Sequence, residues 1–114
     1  MVDEQKLIEF QKGREQLITI GARKQQLQIQ QAMIQNALSE LKNSKQEKVY
    51  KLVGNIMIEK DAKDVEKELK ELKETLEMRI DTLQKQEDSL INRLNKLRSQ
   101  IEGQEKPAKK KKEK

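Results

Sequence analysis

The ionisable side chains of this sequence are lysines, arginines, aspartates, glutamates and a single tyrosine. Among 114 residues there are 25 Lys and Arg and 20 Asp and Glu, but no His and no Cys. That removes imidazole acid–base chemistry, thiol redox chemistry, disulfides and zinc sites built from Cys or His. Carboxylates remain, yet a catalytic carboxylate needs a shaped, partly dry pocket to shift its proton affinity. The charges from Glu68 to Leu72 and from Lys73 to Glu77 sit at helical separations and read as a solvated face with modest mutual support. No phosphate-cradling Gly-rich loop, metal-ligand cluster or nucleophile–base set is present. The sequence therefore points away from an enzyme, implies no metal or cofactor, and leaves apolar contact and charge as the means of action.

Composition sets the frame for such contacts. Hydrophobic residues make up 33% of the chain and charged residues 39%, and Phe10 and Tyr50 are its only aromatics. A chain this short supports one domain, 1–114, with too little bulky apolar material for a compact core of its own. Abundant Gln, Glu, Lys and Leu suit long helices or coiled coil. No apolar run is long enough to cross a membrane, and Asp3 and Glu4 do not suit a signal-peptide start, so a soluble cytoplasmic protein is expected. The formal net charge is +5, of which the last ten residues, Glu105 to Lys114, supply +4 through six Lys and two Glu. The body is nearly neutral, which disfavours nucleic acid as the main partner.

Two segments carry helical periodicity. Stepping by three and four from Phe10 reaches Gly13, Leu17, Ile20, Lys24, Leu27, Gln31, Ile34, Leu38 and Leu41, a seam with three non-apolar members. This predicts a first helix over 3–43, weakened locally by Gly13 and Gly21. Leu69, Leu76, Leu83, Leu90 and Leu97 fall every seventh residue, with Val65, Leu72, Ile80, Leu94 and Ile101 as companions, and predict a second helix over 62–102. Asp61 with Asp64 reads as its N-terminal cap. Helices of matched length are expected to bury their stripes on each other, either as an antiparallel pair with Phe10 near Leu97 and Leu41 near Val65, or as a parallel dimer of extended chains. Gly103 and Pro107 mark the expected helix end, and 103–114 reads as a disordered Lys-rich tail.

Between the helices lies VYKLVGNIMIEKD, from Val49 to Asp61. Val and Ile are concentrated here, as strands prefer, and Gly54-Asn55 at the centre suits a two-residue turn of type II′ or I′. The reading is a β-hairpin over 49–59, with Val53 opposite Ile56, Leu52 opposite Met57, Lys51 opposite Ile58, Tyr50 opposite Glu59 and Val49 opposite Lys60. An isolated two-stranded hairpin is marginal in water, and its free edges invite strand pairing. The segment is therefore expected to be an assembly element, with Val49, Tyr50, Leu52, Val53, Gly54, Ile56, Met57 and Ile58 as oligomerisation residues.

The order helix, hairpin, helix, with Tyr50-Lys51-Leu52-Val53-Gly54 followed by Ile56-Met57-Ile58, resembles the beta class of prefoldin subunits over about residues 5 to 102. The lead-in Asn43 to Lys48 departs from that family in lacking a Pro-Asp type of turn, which leaves the end of the first helix open. The resemblance implies a mainly α fold: a long antiparallel two-helix coiled coil whose short β-hairpin assembles into an intersubunit β-barrel platform. It implies a hexamer of two alpha-class and four beta-class subunits that holds non-native proteins without ATP and passes them to a group II chaperonin. Clients would be met at the free helix ends. An antiparallel pair gathers Leu7, Ile8, Phe10 and Leu17 there with Leu94, Leu97 and Ile101. A structural coiled-coil or tethering protein is the alternative.

Overall fold

The structure is a computed structural model, and it describes residues 3–105. The Lys-rich run expected to be disordered lies, from residue 106 onward, outside the described residues. Four elements follow in order: α1 (Glu4–Ser44), β1 (Lys48–Val53), β2 (Ile56–Asp61) and α2 (Ala62–Glu105). The fold is thus mainly α with one short antiparallel hairpin. The described chain divides into two compact units, an end unit of residues 3–24 with 82–105 and a hairpin unit of Gln25–Asp81.

In the end unit, Leu90, Leu94 and Leu97 are buried against Phe10, Leu17 and Ile20. The helical segments run antiparallel: Gly13 lies against Leu94, while Lys24 reaches Gln84 and Glu87. Leu83 and Ile101 are buried here as well. At the start of α1, Asp3 caps the helix. Its carboxylate accepts a hydrogen bond from the Gln5 amide at 2.9 Å, and its carbonyl accepts one from Leu7, satisfying donors that a helix start leaves without intrahelical partners.

In the hairpin unit, Ile34, Leu38 and Leu76 form the core, with Leu27 and Leu69 packed on it. All ten positions counted from Phe10 to Leu41 are buried or half-buried, the five from Leu27 onward in this unit. The second helix needs a correction. Leu72, counted among the companions, is 47% exposed, and Lys73 is the half-buried neighbour that takes the place. From Leu69 the inward positions step by four and three, to Lys73, Leu76 and Ile80, and a residue three after Leu69 falls off that line. A lysine tolerates the place because its methylene stem can lie on apolar surface while its ammonium reaches water.

Two element ends also differ from expectation. Asp61 ends β2, and its carboxylate accepts a hydrogen bond from Lys48 Nζ at 2.5 Å instead of capping α2. The first amide of that helix, Ala62, is tied to the Glu47 carbonyl at 2.8 Å. α2 continues to Glu105 with Gly103 inside it; a helical glycine costs ~1 kcal/mol but does not by itself stop a helix. The open question around 43–48 is settled by Lys45, which takes a left-handed φ of 55° directly after α1. A single left-handed residue is a common way to end a helix, although glycine fills it more cheaply. The Ser44 hydroxyl closes the turn by donating to the Leu41 carbonyl at 3.0 Å.

Candidate interaction sites

The hairpin pairs Val53 with Ile56, Leu52 with Met57, Lys51 with Ile58, Tyr50 with Glu59, Val49 with Lys60 and Lys48 with Asp61. Five of these six pairs are those the Gly54-Asn55 turn predicts. Gly54 has φ 61°, and Asn55 is not among the positive-φ residues. Positive φ at the first central residue alone is the II′ pattern, which matches the strand twist and needs glycine at that place.

Side chains alternate across the ribbon and give it two unlike faces. One holds Val49, Lys51, Val53, Ile56, Ile58 and Lys60; the other holds Lys48, Tyr50, Leu52, Met57, Glu59 and Asp61. On the first face, Lys60 Nζ donates to Glu68 Oε2 at 2.7 Å and Lys51 Nζ to Glu68 Oε1 at 3.2 Å. One carboxylate on α2 thus receives an ammonium group from each strand. Hydrogen bonds from Lys60 and then Lys51 hold the Glu68 carboxyl below its ordinary range. Val49 and Lys60 are the half-buried residues of the ribbon. The second face is tied only at its base. There the Lys48–Asp61 hydrogen bond lowers the Asp61 carboxyl and raises the Lys48 ammonium.

Above these ties the ribbon is bare. Tyr50, Leu52, Val53, Ile56, Met57 and Ile58 are all exposed, Leu52 at 68% and Ile58 at 44%. Of the residues expected to mediate assembly, Val49 is therefore half-covered by its own chain and these six are open. The clamp at Glu68 was missed in the sequence. Its signal was the pair of lysines placed on one ribbon face by the register, with an acid two turns into the following helix.

The residues expected to meet clients divide differently. Leu7 and Ile8 are exposed, Phe10 and Leu17 are half-buried, and Leu94, Leu97 and Ile101 are buried. The structure gathers Phe10, Leu17, Leu94 and Leu97 into one cluster, so most of this set closes on itself. Exposed Ile18 and Ile91 in the same unit were not singled out from the sequence. Both lie off the counted seam, and a pattern search for one buried stripe passes over them.

Gly13 and Gly21 of this unit differ in what surrounds them. A Cβ built on Gly13 would stand 2.5 Å from Leu94 Cδ2, so Leu94 fills the space that a side chain would need. At Gly21 the nearest atom to such a Cβ is Glu87 Oε2, at 3.5 Å. Glu87 is engaged by Lys24, whose Nζ lies 2.6 Å from Oε1 and 2.8 Å from Gln84 Oε1. Both charged side chains are under one-fifth exposed. A lysine inside a helical seam is thereby matched with an acid facing it.

Among the described residues no group of three or more His, Cys, Asp or Glu could hold a metal ion, and no helix is long and apolar enough to cross a membrane. An open groove beside Leu38, lined by Gln35, Lys42, Glu66, Lys70 and Glu77, carries both signs of charge and no enclosed floor. It is a poor place to hold and polarise a substrate.

Comparisons with known proteins agree with the architecture. The family described as prefoldin subunit matches residues 4–106. The crystal structure of the prefoldin beta subunit from Thermococcus strain KS-1 superimposes with a TM-score of 0.82 at 31% sequence identity, covering 91% of this chain and 92% of that one. No curated protein sequence gives a significant match. With the hairpin between two helices, and with both sequence and fold matched along nearly the whole described length, the chain belongs to the prefoldin subunit family, in its beta class.

Proposed function

We propose that this chain is a subunit of an ATP-independent holding chaperone, joined to other prefoldin subunits through its hairpin and meeting non-native proteins through the helix ends. Six exposed apolar side chains on a two-stranded ribbon carry this reading. A ribbon of two strands has an outer edge on each, and a lone chain leaves both edges and apolar side chains of both faces in water. Partner hairpins relieve both costs, by pairing edges and by covering side chains at ~25 cal/mol per Å² of apolar surface. The family resemblance supplies the rest of the proposal: two alpha-class and four beta-class subunits, a β-barrel platform, and delivery of clients to a group II chaperonin.

Client holding asks the end unit to open. Leu94, Leu97 and Ile101 are covered in the closed seam, whereas Leu7 and Ile8 are accessible without any change. A non-native chain would meet the exposed pair first and reach the others by competing with the seam. Several weak contacts on one platform then add through effective concentration.

The closed seam is also what a purely structural tethering protein would show, so that reading stands as the alternative. The deciding experiment removes residues 1–16 together with 94–114 and measures native mass and suppression of client aggregation. The expected result is an intact oligomer that no longer suppresses aggregation; unchanged suppression would exclude client binding at the helix ends. A 13.4 kDa monomer in every mixture with candidate partners would exclude the assembly itself.

A further inference from the structure

The two hairpin faces are unequal before any partner arrives. On the face of Val49, Lys51, Ile58 and Lys60, both strands are tied to Glu68 of α2, at 3.2 Å from Lys51 and 2.7 Å from Lys60. Half-burial of Val49 and Lys60 shows the same face leaning on its own chain. The other face has no such tie beyond Lys48–Asp61, which joins the strands to each other. Along the tied face exposure falls toward the ties, from Ile56 at 65% beside the turn to 44% at Ile58, whereas Tyr50, Leu52 and Met57 of the untied face stay at 64–68%.

We infer that Glu68 selects the hairpin face offered to other subunits, holding the Lys51–Lys60 face toward α2 and presenting Tyr50, Leu52 and Met57 to the hairpin of a neighbouring prefoldin subunit. This rests on the hairpin-assembly reading and adds to it the identity of the contacting face and of a positioning residue. The occupant is a second β-ribbon because the exposed edges offer backbone donors and acceptors that a strand matches rung for rung. Exposed ion pairs add little to folding stability. Glu68 therefore acts by biasing orientation, and two lysines from two strands restrain rotation where a single pair would act as a pivot.

The chain has no cysteine, so single-cysteine variants of the full-length protein report each face cleanly. Maleimide labelling is compared between the chain alone and the chain assembled with its alpha-class partner. Assembly is expected to slow labelling at Leu52→Cys about tenfold and at Ile58→Cys less than about twofold. Adding Glu68→Lys, which sets three lysines against one another, is expected to weaken assembly about fivefold and to erase the difference between the two sites. Lys51→Glu with Lys60→Glu is expected to restore it in the Glu68→Lys background, a rescue that a merely structural role would not give. If Leu52→Cys itself blocks assembly, Met57→Cys across the same rung takes its place. Equal protection at both faces, or stronger protection at Ile58→Cys, overturns the face assignment while leaving hairpin assembly standing. A preference that survives Glu68→Lys overturns the role of Glu68. Absence of any oligomer by native mass overturns the assembly reading and this inference with it.

Discussion

The end unit and the hairpin unit treat apolar surface in opposite ways. In the end unit, Leu90, Leu94 and Leu97 are covered by Phe10, Leu17 and Ile20 of the same chain, and Gly13 is hollowed to admit Leu94. In the hairpin unit, Ile34, Leu38 and Leu76 are covered in the same manner, but the ribbon beyond them exposes six large apolar side chains. The first seam is covered within one chain, with Leu7, Ile8, Ile18 and Ile91 exposed beside it. The second arrangement leaves apolar side chains uncovered within one chain. A single fold thus combines a seam closed within the chain with a ribbon left open on it, and the two respond to different substitutions.

The sharpest separation comes from truncating one leucine of each kind. Leu76 is 3% exposed and sits in the hairpin-unit core, so Leu76→Ala is expected to cost about 3 kcal/mol. Leu52→Ala, on the bare ribbon, is expected to cost under about 0.5 kcal/mol in the chain alone, as exposed positions do. In the assembled oligomer the ranking should change: Leu52→Ala should weaken association while Leu76→Ala acts only through folding. Urea denaturation of the separated chain and native mass of the mixture check the two halves. Equal folding costs for the two variants would mean that the ribbon is already covered within one chain.

Next in size is the charged layer of the end unit. Lys24 and Glu87 are under one-fifth exposed and 2.6 Å apart. Glu87→Leu leaves a cation largely stripped of water, with only Gln84 still accepting from it, and is expected to cost about 2 kcal/mol. Lys24→Leu combined with Glu87→Leu is expected to recover that loss, since replacing both partners by apolar groups is often neutral or stabilising. A double-mutant cycle measures the coupling, and a value near zero would show that water, not Glu87, solvates Lys24. The pair also fixes register, because sliding one segment by a heptad would set Lys24 against an apolar residue, Ile80 or Leu94, instead of Glu87.

The two glycines should respond with opposite signs. Gly21→Ala adds a methyl at ordinary contact distance, 3.5 Å from Glu87 Oε2, and gains helix propensity of ~1 kcal/mol. Gly13→Ala gains the same propensity but forces Leu94 from its place, and overpacking of a seam costs about 1–3 kcal/mol. Thermal melts are expected to rise for Gly21→Ala and to fall or stay level for Gly13→Ala. A clear rise for both would mean that Leu94 moves aside freely and that the seam is looser than it looks.

How far the sequence discloses this division follows from where each cause lies. Every position counted from Phe10 to Leu41 is buried or half-buried, because heptad spacing is a property of one helix and needs no partner to be read. The hairpin register is equally local, since two residues of turn fix all the rungs. Leu72 is misplaced by the same counting, because two adjacent residues compete for one inward place and apolarity alone favours the wrong one over Lys73. Gly13 as a socket depends on Leu94, some eighty residues away, and spacing within α1 carries no trace of it. The grouping at the helix ends is half legible. Phe10, Leu17, Leu94 and Leu97 do meet, but in meeting they cover one another, which a list of apolar residues near two chain ends does not reveal. Glu68 was hidden for a related reason. Its partners become partners only after the ribbon has folded and leaned on α2.

The smallest expected effect is acid sensitivity confined to the ribbon. Glu68 and Asp61 have carboxyl groups held below their ordinary values of 4.5 and 3.8 by hydrogen bonds from lysines. A group whose folded value is depressed contributes stability above its unfolded value and loses it as pH falls through the folded one. These ties are therefore intact at neutral pH and are lost as pH falls through the depressed folded values, which lie below 4.5 for Glu68 and below 3.8 for Asp61, where protonated carboxyls no longer hold the ammonium groups. Lys48 runs the other way: raised above 10.5 by Asp61, it contributes fully below that value and loses the contribution as pH climbs through its folded one. All three groups face solvent, so salt should mute the effect. The expected outcome is a low-pH change in the amide shifts of the ribbon, centred below pH 4.5, with no matching change at Leu90 or Leu94. Glu68→Gln should remove the part of it that Lys51 and Lys60 report and leave the Asp61 part in place. The same acid transition appearing in the seam would show that the ribbon ties and the leucine packing are one cooperative structure, and the contrast between the two units would then be one of exposure and not of energetics.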